Sequence, residues 1–312
     1  MIDHLVRRPR RALALVPAVL VAVSLAACAA PAAAAASSPP SGAFVSASAS
    51  ATTASTPAVP ERRVVTTAEH ELVFHVWDGA LPALVLDAGG GLSSSYWDDL
   101  APRLAAATGS KVITYDRAGE GESDEVSGPW RVRNAVSDLE AGLTDLGVTD
   151  DVVLVSHSIA GEVATNFVLD NPGWVSGAVL VDANVPDFFT DELLAAFAPV
   201  VAEQRAALEA QPSTRKNRQL LSVLVDYADV HRAYHRLDWP ADVPVTAVVA
   251  SGTPFVDSPE AAQAWRDGQV RFAQAGPNRK HVLAEGTSHE GIVTERPDVV
   301  VDAVQDVLAE IR

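Results

Sequence analysis

Cysteine is nearly absent from this chain, since Cys28 is the only one among 312 residues. The chain therefore forms no intramolecular disulfide and offers no pair of thiolates for metal binding or redox chemistry. Cationic residues are also scarce, with 23 lysines and arginines against 40 aspartates and glutamates, and the formal net charge is −17. A chain this acidic is a poor partner for nucleic acid, because affinity for nucleic acid comes mainly from neutralising phosphates. It is equally poorly suited to electrostatic docking on anionic lipid.

One stretch near the start of the chain is strongly apolar. It runs from Ala12 to Ala27, directly after a cluster of arginines, and is too short and too rich in alanine to be a typical membrane span. It ends in Leu25-Ala26-Ala27-Cys28, which resembles a bacterial lipobox, so we expect residues 1–27 to be a lipoprotein signal peptide. An ordinary signal peptide and an uncleaved anchor are the alternatives. The protein would be exported, either to the outer face of the cell membrane through a lipid on Cys28 or as a secreted protein.

The next segment, residues 28–60, consists mainly of alanine, serine, threonine and proline. It has no apolar periodicity and cannot bury a core, so it is predicted to be a flexible tether. Residues 61–312 then form the folded part, which is long enough for one well-packed domain.

Short apolar runs alternate with amphipathic stretches along this folded part. Two polar-alternating pieces within residues 63–76 predict an antiparallel hairpin at one edge of a sheet. A largely helical insertion, at about residues 185–242, is predicted to be a lid over the carboxyl ends of the strands, where ligands bind in open sheets. We therefore expect an α/β fold with a mostly parallel central sheet and helices on both faces. The apolar runs are continuous, as is typical of strands covered on both faces, and comprise residues 83–86, 112–115, 152–155, 178–181 and 245–249.

The clearest chemical signal lies where one of these runs meets a helix. In the sequence VVLVSHSIAG (residues 152–161), Ser158 is flanked two positions away by Ser156 and Ala160. A sharp turn from strand to helix needs small residues at those flanks, as in the G-x-S-x-G pattern, because larger side chains would collide. We therefore predict that Ser158 is a nucleophile. A serine that only caps the helix is the alternative.

Serine is a weak nucleophile until a neighbouring group accepts its proton, so a base is needed. His289 lies in the sequence EGTSHE (residues 285–290), between a strand-like piece and the last predicted helix. From that loop a side chain can reach back over the sheet, and we expect His289 to be the base. A plain surface-loop role for His289 and the use of His157 as the base are the alternatives.

Two aspartates could orient this histidine. After the run at 245–249 no acid occurs until Asp257, because Pro254 and Phe255 occupy the nearer positions. Asp182 instead ends the preceding run, so we favour Asp182 and keep Asp257 as the less favoured choice. A loop-closing or capping role for Asp182 is the alternative. The order serine, acid, histidine fits either aspartate.

Three consecutive glycines follow the first long run, in the sequence LDAGGGL (residues 86–92). Backbone amides beside glycine can approach a ligand closely, and we expect the N–H groups of Gly90 and Ile159 to form an oxyanion hole. This loop matches neither the dinucleotide nor the phosphate-loop pattern, which disfavours a nucleotide site. His231 and His235 are spaced for a metal, but no glutamate of the metalloprotease type lies between them, and we expect no metal site.

Together these motifs resemble the α/β-hydrolase superfamily. The sequence YDRAGEGESD (residues 115–124) is similar to the family's YDRxGxGxSD stretch, and the glycine loop, Ser158 and His289 follow the family's order over the chain from about residue 62. The resemblance implies a serine hydrolase acting on a small ester, lactone, amide or related acyl substrate, with no metal or organic cofactor. Asp116 and Arg117 of this stretch are expected to brace the neighbouring loop through structural hydrogen bonds.

The chain also departs from the family's pattern. Ala88 stands where histidine commonly precedes the loop glycine, Ser156 and Ala160 replace glycines, and no acid closely follows the run at 245–249. These departures motivate one alternative, a non-catalytic, lipid-anchored binding protein on a hydrolase scaffold. Another is a cofactor-free perhydrolase or carbon–carbon hydrolase that uses the same triad.

Overall fold

The computed structural model describes residues 59–312. The predicted signal peptide, the predicted lipidation site at Cys28 and the tether up to residue 58 lie outside the described residues. Within residues 59–312, eight strands form one sheet in the order β1-β2-β4-β3-β5-β6-β7-β8. The strands are β1 (Glu61–Thr66), β2 (Glu71–Trp77), β3 (Ala80–Asp87), β4 (Ser110–Asp116), β5 (Val152–His157), β6 (Val175–Val181), β7 (Val245–Ala250) and β8 (Arg279–Ala284).

Strand β2 pairs antiparallel with β1 and β4, and the other neighbouring strands pair in parallel. The predicted edge hairpin and the mostly parallel sheet are therefore confirmed. The helices of residues 59–312 are α1 (Ala101–Thr108), α2 (Val132–Asp145), α3 (Ala160–Asp170), α4 (Asp191–Glu209), α5 (Arg215–Leu224), α6 (Tyr227–His235), α7 (Pro259–Gln274), α8 (Ile292–Glu295) and α9 (Pro297–Glu310), with short 3-10 helices at Ser94–Trp97 and Pro186–Phe188. None of the helices in this part of the chain has both the length and the apolar character needed to cross a membrane.

Two apolar cores lie on the two faces of the sheet. Successive residues of β5 alternate between them: Val152 and Leu154 pack in the core that includes α2, α3 and α7, and Val153 and Val155 pack in the core that includes α1 and α9. Because side chains of a strand point alternately to its two faces, a strand buried on both faces must be apolar at every position. This is the physical reason for the continuous apolar runs in the sequence.

The insertion between β6 and β7 is helical, as the sequence predicts. It contains the 3-10 helix at Pro186–Phe188 followed by α4, α5 and α6. Two of these helices begin at a threonine cap, in which the hydroxyl of Thr190 accepts from the amide of Leu193 and that of Thr214 accepts from the amide of Asn217. The insertion leaves the sheet at the carboxyl end of β6 and returns to it at the amino end of β7.

Candidate active site

The turn between β5 and α3 holds Ser158 in a backbone conformation that is rare for a residue with a side chain. Its φ is +56°, in the left-handed region. The carbonyl of Ser158 accepts hydrogen bonds from the amides of Gly161 (3.0 Å) and Asn184 (2.7 Å), which fix the turn. The flanking Ser156 and Ala160 are both buried, so a larger side chain at either position would have no room. The turn therefore presents the hydroxyl of Ser158 at the carboxyl end of the sheet.

The side chains of Ser158, His289 and Asp182 form a continuous chain of contacts. His289 Nε2 lies 3.0 Å from Ser158 Oγ, and His289 Nδ1 lies 2.5 Å from Asp182 Oδ2. Because β5, β6, β7 and β8 are neighbours, residues directly after β5 and β6 and in the loop after β8 meet at one edge of the sheet. An ionised carboxylate only accepts, so Nδ1 carries the proton and Nε2 is left as the acceptor facing the serine hydroxyl.

Asp182 is held by three donors and has no exposed surface. Besides His289, its carboxylate accepts a hydrogen bond from Trp265 Nε1 (3.0 Å) and one from the amide of Ala250 (3.2 Å), both at Oδ1. Asp257, the other aspartate considered from the sequence, is exposed in the loop after β7. The structure thus brings Asp182 to His289, and no hydrogen bond joins Asp257 to the histidine among residues 59–312.

Hydrogen bonds to Ser288, the residue before His289, hold the loop that carries the histidine. Glu295, in α8, accepts from the amide of Ser288 at 2.7 Å and from its hydroxyl at 3.0 Å. One residue earlier, the carbonyl of Thr287 accepts from the amide of Gly252, in the loop after β7. These bonds fix the backbone on the amino-terminal side of His289, so that its ring keeps its orientation between serine and aspartate.

His157, the alternative base, has a different environment. Its Nε2 donates to the backbone carbonyl of His289 (3.0 Å). Its ring stacks on that of Tyr96 and lies at a tilt against that of His289, at centroid distances of 4.6 and 4.8 Å. Burial, with a further contribution from the nearby His289, holds the pKa of His157 well below its usual value, so the ring is neutral. In the part of the chain that the structure describes, His157 makes no hydrogen bond to Ser158.

The two histidines of α6 do not converge on a common point. His231 Nε2 lies 3.0 Å from the buried carboxylate of Glu162, whereas His235 Nδ1 donates to the carbonyl of Pro186. The second ring nitrogen of His231 donates to the carbonyl of Tyr227. No group of three or more metal-binding side chains is found within residues 59–312.

The glycine loop passes beside the serine. A Cβ atom on Gly89 would lie 3.2 Å from the Cβ of Ser158, and one on Gly90 would lie 3.5 Å from a methyl carbon of Ile159. Neither the amide of Gly90 nor that of Ile159 donates a hydrogen bond to any residue of the described part of the chain. Both residues line the cavity that holds Ser158, so these two amides are candidates for binding an anion there.

Behind this loop lies a buried ion pair. Arg117 donates to Asp87 and to the carbonyls of Ala88 and Gly89, while Tyr115 donates to Asp87 at 2.8 Å. Burial raises the pKa of Asp87, although the charge of Arg117 opposes this effect. Asp116, the other residue expected to brace this region, accepts from the amides of Ser94 and Glu122. These contacts agree with the expectation that Asp116 and Arg117 brace the neighbouring loop through hydrogen bonds.

A small cavity of about 120 Å³ lies over Ser158 and His289. The helical insertion supplies much of its apolar wall, with Phe188, Phe189, Leu220, Val223 and Tyr227. Of the other apolar side chains in the insertion, Leu193 and Phe197 do not line this cavity and pack in the core instead. The predicted lid therefore contributes a wall to the site, through Phe188 and Phe189 near its start and through side chains of α5 and α6.

Two residues of the site were not singled out in the sequence. Trp265 bonds to Asp182 from α7, and Tyr96 stacks on His157 from the first 3-10 helix. Each is distant in the chain from its partner, and no local pattern marks either of them. Only the folded arrangement reveals that they support the site.

Residues 84–303 match the family model described as the alpha/beta hydrolase family. The chain belongs to the α/β-hydrolase family. The match extends from β3 into α9 and includes the insertion, so the family's sheet and the residues around Ser158 all lie within it.

Comparison with individual proteins gives the sequence identity and the length over which this chain resembles them. A non-heme chloroperoxidase of Streptomyces lividans is 28% identical over 265 residues, which cover 73% of this chain and 91% of that protein. RutD of Klebsiella pneumoniae (strain 342), named as a candidate carbamate hydrolase, is 34% identical over 110 residues, or 34% of this chain. The matched part spans only 39% of the length of RutD. An esterase from Thermogutta terrifontis superimposes with a TM-score of 0.54 at 19% identity, over 80% of this chain and 99% of its own, which shows a shared fold.

Proposed function

We propose that this protein is a serine hydrolase that cleaves an ester, lactone or amide-type acyl substrate through an acyl-enzyme. The observation that carries the proposal is the contact chain from Asp182 through His289 to Ser158, with separations of 2.5 and 3.0 Å. An imidazole with its proton held on Nδ1 by a buried carboxylate has Nε2 available as a general base. Membership of the α/β-hydrolase family supports the same reaction class.

In the proposed reaction Ser158 Oγ attacks the acyl carbon while His289 Nε2 takes its proton. The negative charge that develops on the acyl oxygen is bound by the amides of Gly90 and Ile159, and donors of this kind typically contribute about 3 kcal/mol each. His289 then gives the proton to the leaving alcohol or amine, and the acyl group remains on Ser158. A water molecule, deprotonated by His289, releases the acid and restores the serine hydroxyl.

The small volume and aromatic wall of the cavity favour a short, partly apolar acyl or alcohol group. Phe189 and Tyr227 of the insertion line the cavity with Trp265 of α7, so an apolar group would replace water against ring faces. Hydrolysis of short-chain esters is therefore the first activity to measure.

The test is a reaction of the purified chain with a fluorophosphonate probe, with Ser158→Ala and His289→Ala in parallel. An adduct at Ser158 by mass spectrometry, absent in the first variant and strongly slowed in the second, is expected. If the folded wild-type chain forms no adduct, the hydrolase proposal fails and a non-catalytic binding protein becomes the better explanation. A circular dichroism spectrum and a thermal unfolding curve establish that each variant is folded.

A second candidate function is perhydrolysis at the same residues. It is favoured by the similarity to the protein named non-heme chloroperoxidase, which extends over 91% of that protein. In this reaction hydrogen peroxide replaces water as the acceptor of the acyl group, so the product is a peracid instead of an acid. Measuring peracid and acid released from one ester at increasing peroxide concentrations distinguishes the two reactions.

We also propose that the protein is anchored at the outer face of the membrane through a lipid on Cys28. The support is the lipobox-like sequence alone. In a bacterial host, a Cys28→Ser variant should leave the membrane fraction, whereas the unmodified sequence should remain in it and incorporate labelled fatty acid. A wild-type chain that carries no lipid would contradict this part of the proposal.

A further inference from the structure

One buried side chain holds two consecutive carbonyls of the oxyanion loop, defined here as residues 88–91. Arg117 is 7% exposed and follows β4 directly. One of its terminal nitrogens donates to the carbonyl of Ala88, and the other donates to the carbonyl of Gly89 at 2.6 Å. A planar guanidinium with rigidly spaced donors fixes the direction of both carbonyls at once, which a lysine ammonium cannot do with the same geometry.

Fixing the carbonyl of Gly89 also fixes the amide of Gly90. The only cis peptide within residues 59–312 joins Leu81 to Pro82, so the peptide from Gly89 to Gly90 is trans. In a trans peptide the C=O and N–H groups point in opposite directions. With the carbonyl directed to Arg117, the N–H of Gly90 points away from that carbonyl, and Gly90 lies in the wall of the cavity that holds Ser158.

Arg117 is itself held in place by groups outside the cavity. It forms an ion pair with Asp87, the last residue of β3, and Asp87 accepts a further hydrogen bond from Tyr115 in β4. From the same motif, Glu120 accepts from the amide of Gly91 at 3.0 Å. Arg117 therefore binds two carbonyls of the oxyanion loop, and Glu120 binds its last amide. The Gly90 amide, which lies between these contacts, has no hydrogen-bond partner within residues 59–312.

We propose that Arg117 is a positioning residue that orients the Gly90 amide toward the developing oxyanion. The inference rests on the proposed hydrolase function and assigns a catalytic consequence to the motif at residues 115–124, whose contacts are otherwise structural. Arg117 borders the cavity, but both of its terminal nitrogens are already engaged by Asp87 and by the carbonyls of Ala88 and Gly89, so its proposed effect is exerted through the backbone of the oxyanion loop. Its loss should weaken binding of the transition state far more than binding of the substrate.

The experiment compares the wild-type chain with Arg117→Lys on a short-chain 4-nitrophenyl ester. The expected result is a fall in kcat of about 10- to 100-fold, with KM changed by less than about threefold, because only a transition-state contact is disturbed. The inhibition constant of a trifluoromethyl ketone, whose adduct with serine carries an oxyanion, should rise by the same factor as kcat/KM falls. The inhibition constant of the product alcohol should stay unchanged.

The matched control is Arg279→Lys. Arg279 is also a buried arginine, 8% exposed, that pairs with an aspartate, Asp238, and donates to a backbone carbonyl, that of Trp239. It lies at the start of β8, at the end of the strand remote from the loop that carries His289. This variant should lose stability as Arg117→Lys does, but should keep kcat and the ketone affinity within about twofold.

A second variant guards against loss of folding. The double change Asp87→Asn with Arg117→Met removes both charges, so that no unpaired charge is left buried. If a folded Arg117 variant keeps wild-type kcat and ketone affinity, or if Arg279→Lys loses them equally, the inference is wrong. Failure of the hydrolase proposal looks different, because the wild-type chain itself would then form no fluorophosphonate adduct at Ser158.

Discussion

Replacing Asp182 by asparagine should reverse the tautomer of His289. At present Asp182 Oδ1 accepts from Trp265 and from the amide of Ala250, while Oδ2 faces His289 Nδ1. An asparagine of the same shape has one oxygen, and two donors compete for it on the Oδ1 side. Its NH₂ group is therefore directed at His289 Nδ1, which must become an acceptor, and the ring proton moves to Nε2 opposite Ser158.

With a proton on Nε2, the imidazole cannot accept the proton of Ser158. Loss of the correct tautomer in a serine triad lowers kcat by on the order of 10³- to 10⁴-fold. This corresponds to about 4 to 5.5 kcal/mol of activation free energy at 1.36 kcal/mol for each factor of ten. Because the amide oxygen keeps both donors on the Oδ1 side, the free energy of unfolding should fall by much less, about 1 to 2 kcal/mol.

The assay is the rate of fluorophosphonate labelling at Ser158, together with kcat on a short-chain ester, for the wild type, Asp182→Asn and Asp257→Asn. Asp257 is exposed, so its asparagine variant should keep at least half of the wild-type rate. A folded Asp182→Asn protein that reacts within tenfold of the wild type would refute the assignment of Asp182. A larger loss in Asp257→Asn than in Asp182→Asn would transfer the role to Asp257.

Three further predictions concern the surroundings of the site. Gly161→Ala would place a Cβ atom 2.2 Å from the carbonyl oxygen of Asn184, and overpacking of this kind should lower the free energy of unfolding by about 1 to 3 kcal/mol; an unchanged urea midpoint would contradict it. Trp265→Phe keeps one aromatic ring but removes the indole N–H that donates to the Asp182 carboxylate, so stability should fall by about 1.5 to 3 kcal/mol and labelling at Ser158 should slow. Burial lowers the pKa of His157, so its ring is neutral in the folded chain. Below pH 6.5 only the unfolded chain binds a proton at this residue. The free energy of unfolding should therefore fall by up to about 1.4 kcal/mol for each unit by which the pH is lowered. Urea titrations at pH 7.5 and 5.5 should show a smaller loss for His157→Gln, and an equal loss would contradict this reasoning.

The strands could be predicted because their physical cause is local. A strand covered on both faces must be apolar at every position, and the runs at 152–155 and 178–181 satisfy this condition and lie within β5 and β6. Helix α7 was not predicted, although its serine cap, Ser258, bonds to the amide of Ala261 and a proline occupies its first turn. These signals mark where a helix starts, but its buried face includes Gly268 and Gln269, so the apolar stripe is interrupted in the sequence. Its main contacts are with the 3-10 helix at Pro186–Phe188 and with β8.

The choice of acid shows why a sequence alone could not complete the site. Asp182 and His289 are 107 residues apart, and the position of Asp182 at the end of an apolar run favours it over Asp257 without showing which aspartate reaches the histidine. What distinguishes them is the pair of donors, Trp265 and the amide of Ala250, that stabilise a fully buried carboxylate at the end of β6. A buried carboxylate without such donors would be costly, so the acid sits where the fold supplies them.

The turn at Ser158 has serine and alanine where glycines are usual, and the position that requires glycine is instead Gly161. Ser156 lies within the sheet, opposite Asp87 of β3 and Leu180 of β6, where a small side chain fits without being glycine. The closest approach instead occurs at Gly161, whose missing Cβ leaves room for the carbonyl of Asn184, in the segment after β6. That segment begins at Asp182, and the amide of Asn184 returns a bond to the carbonyl of Ser158. The G-x-S-x-G pattern examines only the two positions that flank the serine, so it gives this sequence too weak a match. Here the glycine that matters is Gly161, the third residue after the serine. Its small size lets the turn at Ser158 approach the segment that carries Asp182.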